Sequence, residues 1–190
     1  MEDQDRNRED AELAAHQQIV QRRALFMREG GAVKRCHTMP WHGDYTVAQH
    51  SYNMLSLMFV LHPEPSVNLI QAITCHDLSE RYVGDIPAPF KWGMTPDMSE
   101  ELTEMENRVL RHYKLDVDLT EEEEQWLHGL DRTELLMSAK DQLAMGNMAA
   151  QQMVVALAHW FQRKGDAVPE PIRTFAANHA WGRLPDILPE

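Results

Sequence analysis

Apolar residues in this chain recur at intervals of three and four, and no segment sustains an alternation of Val, Ile, Thr and aromatic residues. That spacing lines up side chains on one face of a helix, whereas a half-buried strand needs a period of two. The expected fold is all-α, a compact helical bundle. The 190 residues suit a single domain spanning 1–190, since domains typically run to about 100–200 residues. Hydrophobic residues make up 43%, charged residues 25%, and mean hydropathy is −0.50. These values exclude a disordered tail protein and a polytopic membrane protein.

Leu13, Ile19, Val20, Leu25 and Phe26 predict a first helix over 11–28, ended by Gly30 and Gly31. The stretch 32–45 is irregular. A second helix begins near Thr46, with Val47, His50, Met54, Met58 and Leu61 along one side, so that His50 faces the core. Pro63 and Pro65 break the chain, Ser66 caps a third helix, and Leu69, Ile70 and Ile73 form its stripe. His76 and Asp77 lie one heptad beyond Leu69 and Ile70. They extend that stripe, where an unpartnered carboxylate would cost several kcal/mol. A fourth helix is expected near 97–113. Thr120 to Glu123 and Asp131 to Glu134 each resemble a capping box. The first opens a short helix and the second a long Met- and Ala-rich one reaching about Arg163, in which Met137, Asp141 and Met145 are four apart. Beyond Gly165 the prolines 169, 171, 185 and 189 predict one short helix and an extended end.

Lys plus Arg number 18 against 30 for Asp plus Glu, a net charge of −12. This field repels nucleic-acid phosphates at long range, while a local basic pocket can still hold a small anion. Two cysteines, Cys36 and Cys75, are too few for a disulfide framework and fit a reducing compartment. The charged N-terminus lacks a signal-peptide core, and no window reaches the ~18 apolar residues of a membrane span. A cytoplasmic protein with neither nucleic-acid nor membrane partners is expected.

His50, His76, Asp77 and Asp141 all face inward in this reading. Two imidazoles and two carboxylates suit Mn, Fe, Co, Ni or Zn and leave positions open for water and substrate. Each histidine alone would fit a core residue bonded to backbone; the four together are harder to explain that way. Arg35, in the loop before His50, presents a fork of donors matched to phosphate oxygens. Lys34, Arg81 and Lys91 either add charge there or are solvated surface residues. Asp85, Ile86, Pro87, Ala88 and Pro89 form either a rigid apolar edge or a plain helix-ending turn. The methionines at 137–148 and 153 fit adaptable core. His112 and His128 fall on polar faces and do not suggest a second metal. Cys36 and Cys75 lack a further thiol at zinc-site spacing, and Cys75 fits a small buried hydrophobe.

Several segments together resemble the HD-domain phosphohydrolases, and within them small 5′-deoxynucleotidases and phage-type deoxynucleotide triphosphohydrolases. They are GAVKRCHT at 31–38, TVAQHS at 46–51, CHDLSE at 75–80, GDIPAP at 84–89 and AKD at 139–141, so the resemblance runs over 30–148, with 165–190 as an extension. It implies a metal site between the central helices, with one divalent transition ion per subunit (Zn, Co or Mn) held by His50, His76, Asp77 and Asp141, and Mg accompanying a triphosphate. Glu80 would be the acid or base beside the attacking water, with Arg35 and Asp85 completing the catalytic set. Lys34, Trp41, Ile86, Pro87 and Lys91 would join Arg35 in binding substrate. Cys36 stands where relatives usually carry a bulky aromatic, and Gln49 where Glu is common. The implied reaction is cleavage of 2′-deoxynucleotides at the α-phosphate, with dATP and its shorter relatives as first choice. A monophosphate-specific 5′-deoxynucleotidase is the alternative, and a non-catalytic nucleotide sensor is the alternative of another class. A small-molecule deoxynucleotide and further copies of the chain in a homo-oligomer are the expected partners.

Overall fold

A computed structural model describes residues 2–164 and 167–181, with side chains described over 11–88, 90–91, 93–164 and 167–178. Helices are α1 (Glu2–Gly31), α2 (Val47–Leu61), α3 (Val67–Cys75), α4 (Glu80–Val83), α5 (Ala88–Trp92), α6 (Pro96–His112), α7 (Glu121–Ala144), α8 (Gln151–Lys164) and α9 (Glu170–Trp181). Among the described residues no strand forms; the nearest approach is a single antiparallel bridge, Lys34 to Thr46, closing the loop before α2. The side chain of Pro89 and the prolines at 185 and 189 lie outside the described residues.

Capping explains several boundaries. Thr46, Ser66, Thr95 and Thr120 each accept a hydrogen bond from the backbone N–H three residues on, at the starts of α2, α3, α6 and α7. At Thr120 the box is complete, since Glu123 returns to the Thr120 N–H at 2.8 Å.

α7 is the central element and packs against α2, α3, α8 and α9. One cluster joins Met54 and Met58 of α2, Leu69 and Ile73 of α3, Trp126 and Leu130 of α7, and Ile172 of α9. Fully burying each such side chain contributes about 1.5–3 kcal/mol. A second cluster sets Phe26 of α1 against Val47, Cys75 and Leu78. A third sets Tyr45 against Leu135 and Leu136 of α7 and Leu157 of α8.

Four expectations change. α7 is one uninterrupted helix, so Asp131 to Glu134 is not a cap: Trp126, Leu130, Thr133 and Leu136 continue one buried face straight through it. The long helix expected to reach Arg163 is broken instead at Gly146, whose φ of 86° suits a residue without Cβ, and a short 3₁₀ turn leads into α8. α3 stops at Cys75, and residues 76–79 form a tight turn with three-residue hydrogen bonds such as Leu78 N–H to Cys75 O at 3.0 Å. The Met-rich run is only partly core, for Met145 and Met148 are exposed.

The end of α1 touches this turn. A Cβ on Gly30 would lie 2.9 Å from the carbonyl oxygen of Leu78, so only glycine permits the approach.

Candidate metal centre

The first turn of α2, the turn after α3 and the middle of α7 converge on one point. α2 contributes His50, fully buried; the turn contributes His76 and Asp77; α7 contributes Asp131. Ligand atoms of His50, His76 and Asp131 lie within 4.8 Å of one another. His50 Nε2 is 3.2 Å from Asp131 Oδ1 and 3.8 Å from Asp77 Oδ2, and His76 Nε2 is 3.1 Å from Asp77 Oδ2. Side chains of His76, Asp77 and Asp131 keep 17–19% of their surface exposed, which opens the cluster to solvent on one side.

Asp141 is not brought to this cluster. It is exposed, ten residues further along α7, roughly 15 Å down the helix axis at 1.5 Å per residue. Asp131 stands where Asp141 was expected. The signal that could have found it is the three-residue spacing of Asp131 and Glu134, which puts both carboxylates on one helix face.

The donor set fits a divalent transition ion. His50 Nε2 and His76 Nε2 are buried and make no hydrogen bond, while the opposite nitrogens are engaged: His50 Nδ1 faces Glu134, and His76 Nδ1 faces the Ile73 carbonyl at 3.0 Å. An imidazole held at Nδ1 offers its Nε2 lone pair to a metal. Local charge also favours a cation. Burial opposes a proton on His50, yet the neighbouring carboxylates Asp131 and Glu134 push its pKa up to about 9 in the metal-free protein. Asp131 is held well below the usual carboxylate range: burial opposes this, but the hydrogen bond with His50 and the charge of Arg132 prevail.

Arg35 lies beside the same carboxylates. One guanidinium nitrogen contacts Asp77, another is 3.8 Å from Asp131, and the side chain is largely buried over the Tyr45 ring. Glu80 begins α4 immediately after the turn. It is buried with Oε2 unpartnered, and burial together with the charge of Asp77 raises its pKa to about 8. Asp85 accepts the Cys36 N–H at 2.7 Å, joining the loop after α4 to the residue that follows Arg35. Ile86 and Pro87 are half-buried in that loop.

Other expected residues fall further out. Lys34 pairs with Asp44 at 3.0 Å on the surface, both side chains at least 70% exposed, so it does not join Arg35. Arg81 pairs with Glu29 on the surface. Lys91 is exposed, although its charge reaches Glu80 and Glu106. Trp41 is half-buried and stacks on Tyr45 with centroids 5.1 Å apart. His112 and His128 are exposed. Neither cysteine joins the cluster, and in the metal-free protein burial pushes Cys75 up to about 11 while burial with Asp85 pushes Cys36 up to about 12.

Among the described residues no helix is long and apolar enough to cross a membrane. No curated protein matches the chain. Residues 32–153, nearly two thirds of the chain, match a family described as HD domain, whose members are in general metal-dependent hydrolases. Both histidines, the adjacent His76-Asp77 pair and Asp131 all fall within that match, and the chain belongs to the HD domain family.

Proposed function

We propose that the protein hydrolyses 2′-deoxynucleotides at the α-phosphate, releasing a deoxynucleoside, with dATP, dADP and dAMP as the substrates of first choice. The observation that carries this reading is the juxtaposition of Arg35 with Asp77, Asp131 and the protonated Glu80. A cation with bidentate geometry and a proton donor stand together at a cluster suited to a divalent ion. When bound there, a divalent ion polarises a phosphoryl oxygen and acidifies water.

The chain's own residues supply the rest. Arg35, whose two terminal nitrogens face Asp77 and Asp131 here, would turn them to phosphoryl oxygens when a divalent ion occupies those carboxylates, and there neutralise charge that builds up as water adds to phosphorus. Glu80, with a pKa of about 8, carries its proton at neutral pH and delivers it to the 5′ oxygen as the P–O bond breaks. His76, Asp77 and Asp131 face the open side, from which the phosphate enters.

Selectivity for deoxy sugars is attributed to the Asp85 to Pro87 edge, which the Cys36 N–H fastens beside Arg35. Ile86 and Pro87 offer no side-chain partner to a 2′-hydroxyl. Burying that hydroxyl against them costs about 1–3 kcal/mol, or roughly ten- to a hundredfold in kcat/KM. The test is a panel of dNTPs, dNDPs, dNMPs and their ribo counterparts with Zn, Co, Mn and Mg, products resolved by chromatography. Release of triphosphate from dATP with dATP favoured over ATP is expected. Turnover of monophosphates alone would make the protein a 5′-deoxynucleotidase. Equal rates for both sugars would reject the deoxy reading, and binding without turnover would leave a nucleotide sensor.

A further inference from the structure

We infer that Glu134 is a positioning residue acting through two neighbours at once: it fixes which nitrogen of His50 faces the metal position, and through Tyr45 it ties the Arg35 loop to that ligand. The inference rests on His50 as a metal ligand and, for the tie through Tyr45, on Arg35 as the phosphate contact of the proposed function.

Glu134 is 2% exposed, yet both its oxygens are filled. Oε1 accepts Asn53 Nδ2 at 3.0 Å and Ser138 Oγ at 2.8 Å; Oε2 accepts the Tyr45 hydroxyl and faces His50 Nδ1. Four partners match the four lone-pair sites of an ionised carboxylate, which can only accept. His50 Nδ1 must therefore carry the hydrogen. Its Nε2 is left with a lone pair, aimed at the space shared with Asp131 and His76. A buried carboxylate is costly, and among the described residues the ion pair recorded for this one is with the His50 ring. An apolar side chain would fill the same volume without specifying a tautomer.

The second arm runs through Tyr45, itself 4% exposed. Its hydroxyl reaches Glu134, its ring lies under the Arg35 guanidinium at 5.7 Å and stacks on Trp41, and its carbonyl accepts the Arg35 N–H at 2.8 Å. Through its ring and its backbone carbonyl this residue touches Arg35 at two places, and through its hydroxyl it reaches the carboxylate behind the ligand.

The test uses the full chain loaded with zinc. Zinc affinity is measured by calorimetry against a competing chelator, phosphate affinity by calorimetry with inorganic phosphate, and the His50 tautomer by long-range ¹H–¹⁵N NMR on histidine-labelled protein. In the unmodified protein the His50 hydrogen is expected on Nδ1. Glu134→Gln should weaken zinc binding by about 10- to 100-fold, the range for outer partners of metal-bound histidines, and disturb the tautomer. Tyr45→Phe should retain zinc affinity and weaken phosphate binding. Normal zinc affinity in Glu134→Gln alongside lost affinity in His50→Ala overturns the Glu134 role while sparing the metal site; normal affinity in both overturns the site and the inference together. Unchanged phosphate affinity in Tyr45→Phe alongside lost affinity in Arg35→Ala overturns the tie to the loop; unchanged affinity in both overturns the phosphate role of Arg35 as well. If Glu134→Gln does not fold, the unmodified protein still decides, for a hydrogen on His50 Nε2 is incompatible with the proposal.

Discussion

The metal cluster and the loop over 32–46 meet at Tyr45, but they are held by different forces. His50, in the first turn of α2, and Asp131, in the middle of α7, sit beside core residues such as Met54 and Leu130, so displacing either side chain means repacking a helix. The loop has little apolar anchorage apart from Val33, Trp41 and Tyr45. Hydrogen bonds hold it: Cys36 N–H to Asp85, His42 N–H to Gln142 Oε1 at 2.7 Å, Gln142 Nε2 to the His42 carbonyl at 2.8 Å, and Asn147 Nδ2 to the Pro40 carbonyl at 2.8 Å. Each contributes about 0.5–1.5 kcal/mol. His50 and Asp131 are thereby mounted on packed helices, whereas Arg35, which pairs with Asp77 and Asp131, is carried by a hydrogen-bonded loop.

The largest effect should come from Asp131. Asp131→Ala and His76→Ala are expected to abolish stoichiometric metal binding, measured by elemental analysis after desalting, with helicity retained by circular dichroism. Asp141→Ala should bind metal normally. The opposite result for the two aspartates would dismantle the rigid half of the comparison.

Next, Glu80→Gln should lower kcat by about 10²–10⁴-fold, the range for a positioned general acid, while metal content stays normal. The same variant carries a pH signature in metal-free protein. Burial raises the folded pKa of Glu80 from about 4.5 to about 8, so the folded state binds this proton more tightly than the unfolded chain. Stability is then present in full below pH 4.5 and is lost as pH rises through 8. Denaturant melts across that window should show the unmodified protein declining relative to Glu80→Gln; parallel curves would remove the perturbed carboxyl.

Arg35→Ala should cost about 1.5–3 kcal/mol in kcat/KM, roughly ten- to a hundredfold, because charged hydrogen bonds to phosphate are lost. Lys34→Ala, which removes only an exposed ion pair, should change it little. The smallest effect on chemistry is expected from Asn147→Ala. Losing its bonds to the Pro40 carbonyl, Gln142 Oε1 and the Ala149 N–H loosens the loop and should raise KM by at least about fivefold, the equivalent of one bond of about 1 kcal/mol, with metal affinity unchanged. A drop in metal affinity would show that loop and cluster are not separable.

Helical class, the inward placement of His50 and the caps at Ser66 and Thr120 were legible because each depends on local spacing. Asp131 was not. Its tetrad, Asp-Arg-Thr-Glu, has the form of a helix start, and nothing local reveals that a helix begun at Glu121 is already running through it. Asp141 misled for the complementary reason. It lies between Met137 and Met145, but methionine spacing marks a core face only if the methionines are buried, and Met145 is 55% exposed. The turn at 76–79 was hidden too, since a heptad extrapolated from Leu69 assumes a helix that in fact ends at Cys75. Glu134 read as the end of a cap, because the partners that define its role, Tyr45 and His50, lie more than 80 positions away in sequence.

The meeting of Gly30 with Leu78 extends the working part of the molecule beyond the segment matched to the family. The Leu78 carbonyl is backbone, flanked by Asp77 on one side and Ser79 and Glu80 on the other, and it cannot swing aside as a side chain would. A methyl group at position 30 would push on it directly, and the displacement would reach a candidate ligand and the proton donor in the same movement. α1 ends before residue 32, where the match begins, yet its last turn is the abutment against which the His76 to Glu80 segment is braced. Any partner or modification that shifts this helix along its axis would be felt as a change in the spacing between Asp77 and Glu80.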